Sequence, residues 1–377
     1  MNNYKLKSLA LGITSLLLSA CNESVSDLLE PKIYFENKEY NLTVDGEDDV
    51  MSFDLTSRLS SAVKSSVDVT YHIAPESTVD EYNAKYGTNY EVFDESHVSL
   101  SNTSSSIPAG NLFADKVQLE FSGLSTMDEG KSYILPVTVQ SSAIASNEGG
   151  NIAYFFIKKP VKITKVGEFS NDYISIKFPA GTFFKSFTYE ALIYVNRFGG
   201  NNTIMGTEGV MIFRIGDPTL PSNKILELAG RQHYNVKDEL KEKQWYHVAA
   251  TYDQGSGKTA IYVNGNKWAE SGWSIPGFDP NADVGFNIGK LAGFPWGERP
   301  INGFMSEVRV WSVARTENQL KQNMLTVDPK SEGLEVYYKL NGSDSQEGNV
   351  IKDATGKIEG KTSGISIKQL EAPVEIK

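Results

Sequence analysis

From Pro31 onward, hydrophobic and polar residues alternate in short runs separated by turn formers. Ile33 and Phe35, then Tyr40, Leu42 and Val44, then Met51, Phe53 and Leu55 each recur at every second position. That period predicts half-buried strands, with the acidic run 45–49 (DGEDD) as a turn. Residues 67–73, 117–121, 133–139 and 152–157 continue the pattern, with Pro136 predicted to push part of its strand to a sheet edge. One interruption has helical period. Thr78 and Glu81 are spaced as a capping box, Tyr82 and Tyr86 lie four apart, and Gly87 supplies a stop, which predicts a helix over 79–86. The strongest hairpin lies at 245–267. Tyr246, Val248, Ala250 and Tyr252 alternate, the loop 253–257 (DQGSG) turns the chain, and Thr259, Ile261 and Val263 alternate back. Asn264-Gly265 then adds a tight turn, since both residues tolerate positive φ.

Further strands are expected at 187–195 (FTYEALIYV), 211–215, 286–289, 301–311, 334–340 and 349–353, with a short helix at 317–324. Many short strands at regular spacing predict an all-β chain of antiparallel sandwiches. The length of 377 residues exceeds one ordinary domain. Lys158-Lys159-Pro160 marks a boundary, giving domains at 31–159 and 160–377.

The N-terminus has a different character. Lys5 and Lys7 precede an apolar run, 9–20, too short to span a bilayer. It ends in Leu18-Ser19-Ala20-Cys21, which resembles a bacterial lipobox. The resemblance implies a signal peptide over 1–20, lipidation of Cys21, and a polar tether over 21–30. Cys21 is the one cysteine in the chain, so no internal disulfide forms. The net charge of −11 disfavours nucleic acid and other polyanions as ligands.

Two family resemblances follow. The segments 69–73 (VTYHI), 80–90 (DEYNAKYGTNY), 107–110 (IPAG) and 133–137 (YILPV) resemble a domain of unknown function near the N-terminus of surface lipoproteins and glycan-active enzymes of glycan-foraging Gram-negative bacteria. That implies a small Ig-like β-sandwich acting as a spacer, with Tyr82, Tyr86 and Tyr90 packed on the sandwich. The ordered series 187–195, 245–248 (WYHV), 303–311 (GFMSEVRVW) and 334–340 (LEVYYKL) resembles laminin-G-like, concanavalin-type lectin/glucanase domains. These are antiparallel jelly-roll β-sandwiches that mostly bind carbohydrate or other extracellular ligands; some hydrolyse glycans. One departure is Leu192, where the family commonly has Trp, a change expected to alter the floor of the concave face.

Hydrolysis needs two carboxylates, and a strand presents alternate residues on one face. The Glu-x-Asp-x-Glu pattern of laminarinase-type members is missing from 161–377. Glu190 and Glu307 are the one carboxylate pair worth weighing, against structural roles for both. The four histidines, His72, His97, His233 and His247, have no zinc spacing, and no nucleophile elbow or phosphate loop occurs.

Binding chemistry is better represented. Sugars need flat aromatic surfaces and polar groups for their hydroxyls. The loop 291–300 (LAGFPWGERP) carries Phe294, Trp296, Glu298 and Arg299; residues 268–280 (WAESGWSIPGFDP) add Trp273 and Phe278. Asn201, Asn202 and Arg231 are further polar candidates. Calcium is common in this fold, and Asp279, Asn281, Asp283 and Asp217 are candidate oxygen donors, or else turn residues. The expectation is a non-enzymatic, outer-membrane, lipid-anchored surface protein that binds glycan, in company with an uptake complex. A hydrolase using Glu190 and Glu307, or a protein-binding adhesion module, are the alternatives.

Overall fold

The computed structural model describes residues 30–44 and 48–376. The signal-like segment, Cys21 and most of the tether lie outside the described residues. No helix among the described residues is long and apolar enough to cross a membrane.

The first unit is a small sandwich. Its larger sheet runs Glu39–Thr43, Ile152–Lys158, Ser132–Gln140, Val67–Ile73, Ser104–Ile107. A second sheet joins Met51–Leu55, Val117–Phe121 and Val98–Leu100. Both share one core that includes Leu55, Val69, Tyr71, Leu119, Phe121, Leu135, Val137 and Phe155. Alternation decides the faces: in Val67–Ile73, Val67, Val69 and Tyr71 are buried while Asp68, Thr70 and His72 are exposed.

One local expectation is corrected and another is met only in part. The helix spans Glu76–Tyr86, starting three residues early with Pro75 as N-cap and no side-chain cap, so Thr78 caps nothing. Proline's fixed φ already suits a helix start. Gly87 does end it, at φ 59 and ψ 46. Pro136, in turn, sits in a central strand but at a stretch left unpaired on one side, a local edge only. On one side of Ser132–Gln140 the strand Glu91–Val92 pairs with Tyr133 and Ile134, and Val67–Ile73 pairs from Val137 onward. Pro136 falls in the gap between them, where its missing N–H is not required. Tyr82 packs on Tyr154, Phe156 and Tyr90, so this aromatic set covers the sandwich.

The second unit is a larger antiparallel sandwich. One sheet runs Asn266–Ser271, Lys258–Val263, Trp245–Asp253, Phe187–Val195, Gly303–Trp311, Lys165–Phe169, Ser366–Gln369, with Leu334–Tyr338 also on Gly303–Trp311. The other begins His233–Glu239, Ile225–Gly230, Met211–Ile215, Asn202–Thr207, Phe286–Ile288, Ile174–Ile176, Glu359–Thr362 and continues through two short strands. The main core lies between the sheets. Phe187–Val195 is buried on both faces for a reason. Tyr189, Ala191 and Ile193 enter the main core, while Leu192 belongs to a smaller cluster with Ile163, Val166 and Val374. Leu192 therefore faces the back of the sheet and floors no ligand groove, correcting that expectation.

The short helix Glu317–Gln322 carries the capping box that Thr78 lacks: Thr316 and Gln319 each bond the other's backbone N–H. It lies against the first unit. Thr316 Oγ1 donates to Gly87 O, and Asn318 Nδ2 donates to Tyr86 O. A Cβ on Gly87 would meet Thr316 at 2.9 Å, and one on Gly130 would meet Thr326 at 1.8 Å, so both glycines permit the close approach.

Candidate binding site

The carboxylates weighed for hydrolysis come first. Glu190 and Glu307 lie in the interior, 0 % and 3 % exposed. Glu190 accepts from Trp311 Nε1 at 2.6 Å, Arg315 Nη1 at 2.9 Å and His247 Nε2 at 3.0 Å, with Arg309 Nη1 at 3.5 Å. Burial alone would raise its pKa, but Arg315, Arg309 and the His247 bond hold it far below the usual carboxylate range. Glu307 binds Arg309 and accepts from Tyr337 Oη. Arg309 and Arg315 reach on to Asn323 O, Gln319 O and Asn323 Oδ1, so the network latches the segment after Trp311 onto the back of the sheet. The pair is bridged by a guanidinium inside the protein, a structural arrangement. His247 donates from Nε2, because an ionised carboxylate only accepts. Its buried Nδ1 has no partner among the described residues, and burial pushes its pKa down.

A hollow of about 560 Å³ opens at one end of the sandwich. Four loops meet there: the segment before Phe187–Val195 that carries Phe183, the turn between Asn202–Thr207 and Met211–Ile215, the turn after Ile225–Gly230, and the long connection after Asn266–Ser271. Buried Met211, Ile275 and Phe278 line it, with half-buried Trp273 and exposed Phe183 as aromatic walls. Arg231, Gln232, Asp279 and Asp283 add polar groups. Its volume falls in the range of small-ligand sites, about 300–1,000 Å³.

The long loop is held firmly. Trp273 O accepts from Thr259 Oγ1 at 2.8 Å, and Pro280 O accepts from Thr207 Oγ1 at 2.7 Å. Phe278 and Phe184 exchange backbone bonds at 2.9 and 3.1 Å, with ring centroids 5.7 Å apart. Phe278 is thus part of the floor and core. Asn281 is committed as well, its Oδ1 accepting from Phe178 N at 2.9 Å and its Nδ2 donating to Phe178 O at 3.2 Å. As folded, this loop offers a cation Asp279 and Asp283 but not the oxygen of Asn281, short of the six or more that calcium takes.

Asp217, with Glu227 and His233, forms a group of three whose ligand atoms lie within 4.8 Å of one another. A cation is already among them: Arg214 Nε bonds Glu227 at 2.7 Å and Nη2 bonds Asp217 at 2.6 Å. His233 Nδ1 lies 2.9 Å from the other Glu227 oxygen, and Thr219 holds the other Asp217 oxygen. The set does not fit a metal, since a guanidinium fills the place an ion needs.

The loop 291–300 forms a second feature. Leu291 is buried against Ile212 and Ala229, with Phe294 packed on them. Glu298 accepts from Gly293 N at 2.8 Å and pairs with Lys290 at 2.9 Å. Arg299 pairs with Glu208 at 2.7 Å. Glu298 and Arg299 thus brace the loop, while Trp296 stands 79 % exposed at its tip. Asn202 is 1 % exposed and spends its amide on Gly199 and Ile215, a turn clamp out of a ligand's reach. Asn201 next to it is half-buried and does not line the hollow.

The structure therefore brings together Trp273, Arg231, Asp279 and Asp283, and places Trp296 and Phe294 on a neighbouring loop. Sequence reasoning missed Phe183. Its signal was present: an aromatic residue just after Gly181 in a Pro/Gly-flanked loop, the argument that singled out Trp273.

The family model for the concanavalin A-like lectin/glucanase superfamily matches residues 169–321, and an N-terminal domain model matches residues 29–146. A crystal structure of a candidate carbohydrate-binding protein from Bacteroides ovatus ATCC 8483 is 64% identical, covering 92% of this chain and 100% of that one, with a TM-score of 0.64. The chain belongs to the same family as that protein, and its second unit carries a concanavalin A-like lectin/glucanase domain. A heptameric SAP-like pentraxin from Limulus polyphemus is 16% identical over 56% of this chain and 98% of its own, with a TM-score of 0.35. An EndoBT-3987 structure from Bacteroides thetaiotamicron with a Man5GlcNAc product is 18% identical over 34% and 30%, with a TM-score of 0.29. Among curated proteins, none matches the chain. Within this lectin/glucanase fold, the hollow sits where loops join strand ends, so ligand groups vary without disturbing the sheets.

Proposed function

We propose that the protein binds carbohydrate without cleaving it, at the loop-end hollow. The observation that carries this is the meeting of Trp273 and Phe183 over an apolar floor, with Arg231, Asp279 and Asp283 beside them. Pyranose rings have an apolar face and a rim of hydroxyls, and this lining matches both. The Bacteroides ovatus relative supports the same chemistry. The absence of cleavage rests on Glu190 and Glu307 being locked to arginines away from the hollow. We further propose that Cys21 carries a lipid anchoring the protein at the outer-membrane surface, where it serves glycan uptake; the 9–21 pattern supports this.

The test is a glycan array with product analysis on every hit. The protein is expected to retain glycans intact, and Arg231→Ala and Trp273→Ala to weaken binding about tenfold, as the loss of about 1.4 kcal/mol would. Unchanged binding in both variants would refute the assignment to this hollow. Released sugar products would refute the non-enzymatic reading. Cys21→Ser is expected to move the protein from the membrane fraction to the soluble one.

A further inference from the structure

The hollow and the Trp296 loop are flanks of one turn. Gly209, Val210 and Met211 line the hollow on one side. Glu208, the residue before them, binds Arg299 at 2.7 Å on the other. The Arg299 guanidinium lies over the Phe294 ring, 5.1 Å from its centroid, and Phe294 meets Trp296 edge-on at 5.3 Å. An unbroken series of contacts thus runs from the hollow to Trp296.

Trp296 is the most exposed large hydrophobic side chain among the described residues. It is exposed on a braced support. Leu291 anchors the loop in an apolar cluster, Leu291 N donates to Glu298 O at 2.8 Å, and the Glu298 carboxylate ties back to Gly293 and Lys290. Trp296 and the half-buried Phe294 together present adjoining aromatic rings on a braced loop, a surface suited to stacking against a ligand. A free sugar in the hollow has no need of it; a ligand extending past the Glu208 turn does.

We infer that Trp296 is a second stacking platform of the same site. The ligand is therefore an oligosaccharide chain running from the hollow across the turn to Trp296. This rests on the carbohydrate reading above and narrows its ligand to chains of several sugars. Trp296 supplies the affinity that comes with length, and Trp273 supplies the affinity common to all lengths.

The experiment is calorimetric titration of the protein with glucose, mannose, xylose and arabinose and their linear oligomers of up to six units. For any series that binds, affinity is expected to rise with length. Trp296→Ala should leave the one- and two-sugar affinities in place and lower the six-sugar affinity about tenfold, the effect of one lost stacking contact. Trp273→Ala should weaken every length, and Trp296→Phe should restore part of the length dependence. Two results overturn the inference: Trp296→Ala leaving all affinities unchanged, or weakening the shortest ligand as much as the longest. Wild-type protein that binds none of these sugars while capturing a protein would overturn the carbohydrate reading itself.

Discussion

Glu190→Ala isolates the network behind the large sheet. The carboxylate is fully buried and takes hydrogen bonds from Trp311, Arg315 and His247, with Arg309 at 3.5 Å. Removing it leaves two guanidinium groups in the interior with half their compensation gone. Breaking a buried pair in this way costs about 3–5 kcal/mol. With a urea m-value of about 3 kcal/mol/M, the midpoint falls by about 1–1.7 M. In a domain of this size the melting temperature drops by about 6–20 °C. Urea titration read by tryptophan fluorescence measures this, with m checked for constancy. Arg315→Ala and the double variant complete a cycle, in which coupling above about 1 kcal/mol is expected between direct partners. A Glu190→Ala cost under about 1 kcal/mol at unchanged m would refute the latch argument. Glycan affinity of the folded variant should not change, because none of these residues lines the hollow.

The same network sets an acid limit. Folding favours neutral His247, whose pKa is depressed by burial, so its contribution is complete above its unfolded value of about 6.5 and is lost as pH falls through its folded value. Urea midpoints should therefore decline from pH 7.5 to 5, and His247→Gln should flatten that slope. Glu190 adds a lower window: its pKa is depressed by Arg315 and Arg309 against burial, so its stabilisation is present above about 4.5 and fades only in stronger acid. At the junction between the units, Gly130→Ala would drive a Cβ into Thr326 Cγ2 at a backbone φ of +80. A loss of about 1–3 kcal/mol is expected, partly recovered by Thr326→Ser, again by urea titration.

Strand alternation made the sheets legible, because a period of two follows from one-sided burial. It misled where burial was two-sided: Leu192 reads as groove floor in a strand whose reverse face is covered by Ile163 and Val374. Trp273 and Arg231 as polar or aromatic loop candidates, and Asp279 and Asp283 as candidate calcium donors, could be placed on loops because turn formers surround them. Local sequence cannot say which loops converge, so their meeting with Phe183 was not readable. Nor can it say what a polar side chain has already bonded. Asn281, Asn202, Glu298 and Arg299 have the right groups for a ligand, but backbone amides and neighbouring charges occupy them. The Thr78 capping box failed for a related reason, since Pro75 offers a helix start one turn earlier.

The helix Glu317–Gln322 has six residues, far fewer than an isolated helix needs to persist in water. It survives because arginines of one unit hold its C-terminal carbonyls and the backbone of the other receives Thr316 and Asn318. Its amides are therefore a natural reporter of hydrogen exchange. Exchange through opening of the junction alone would unprotect this helix while both cores stay closed. Protection equal to that of the surrounding strands would mean that the two units open as one.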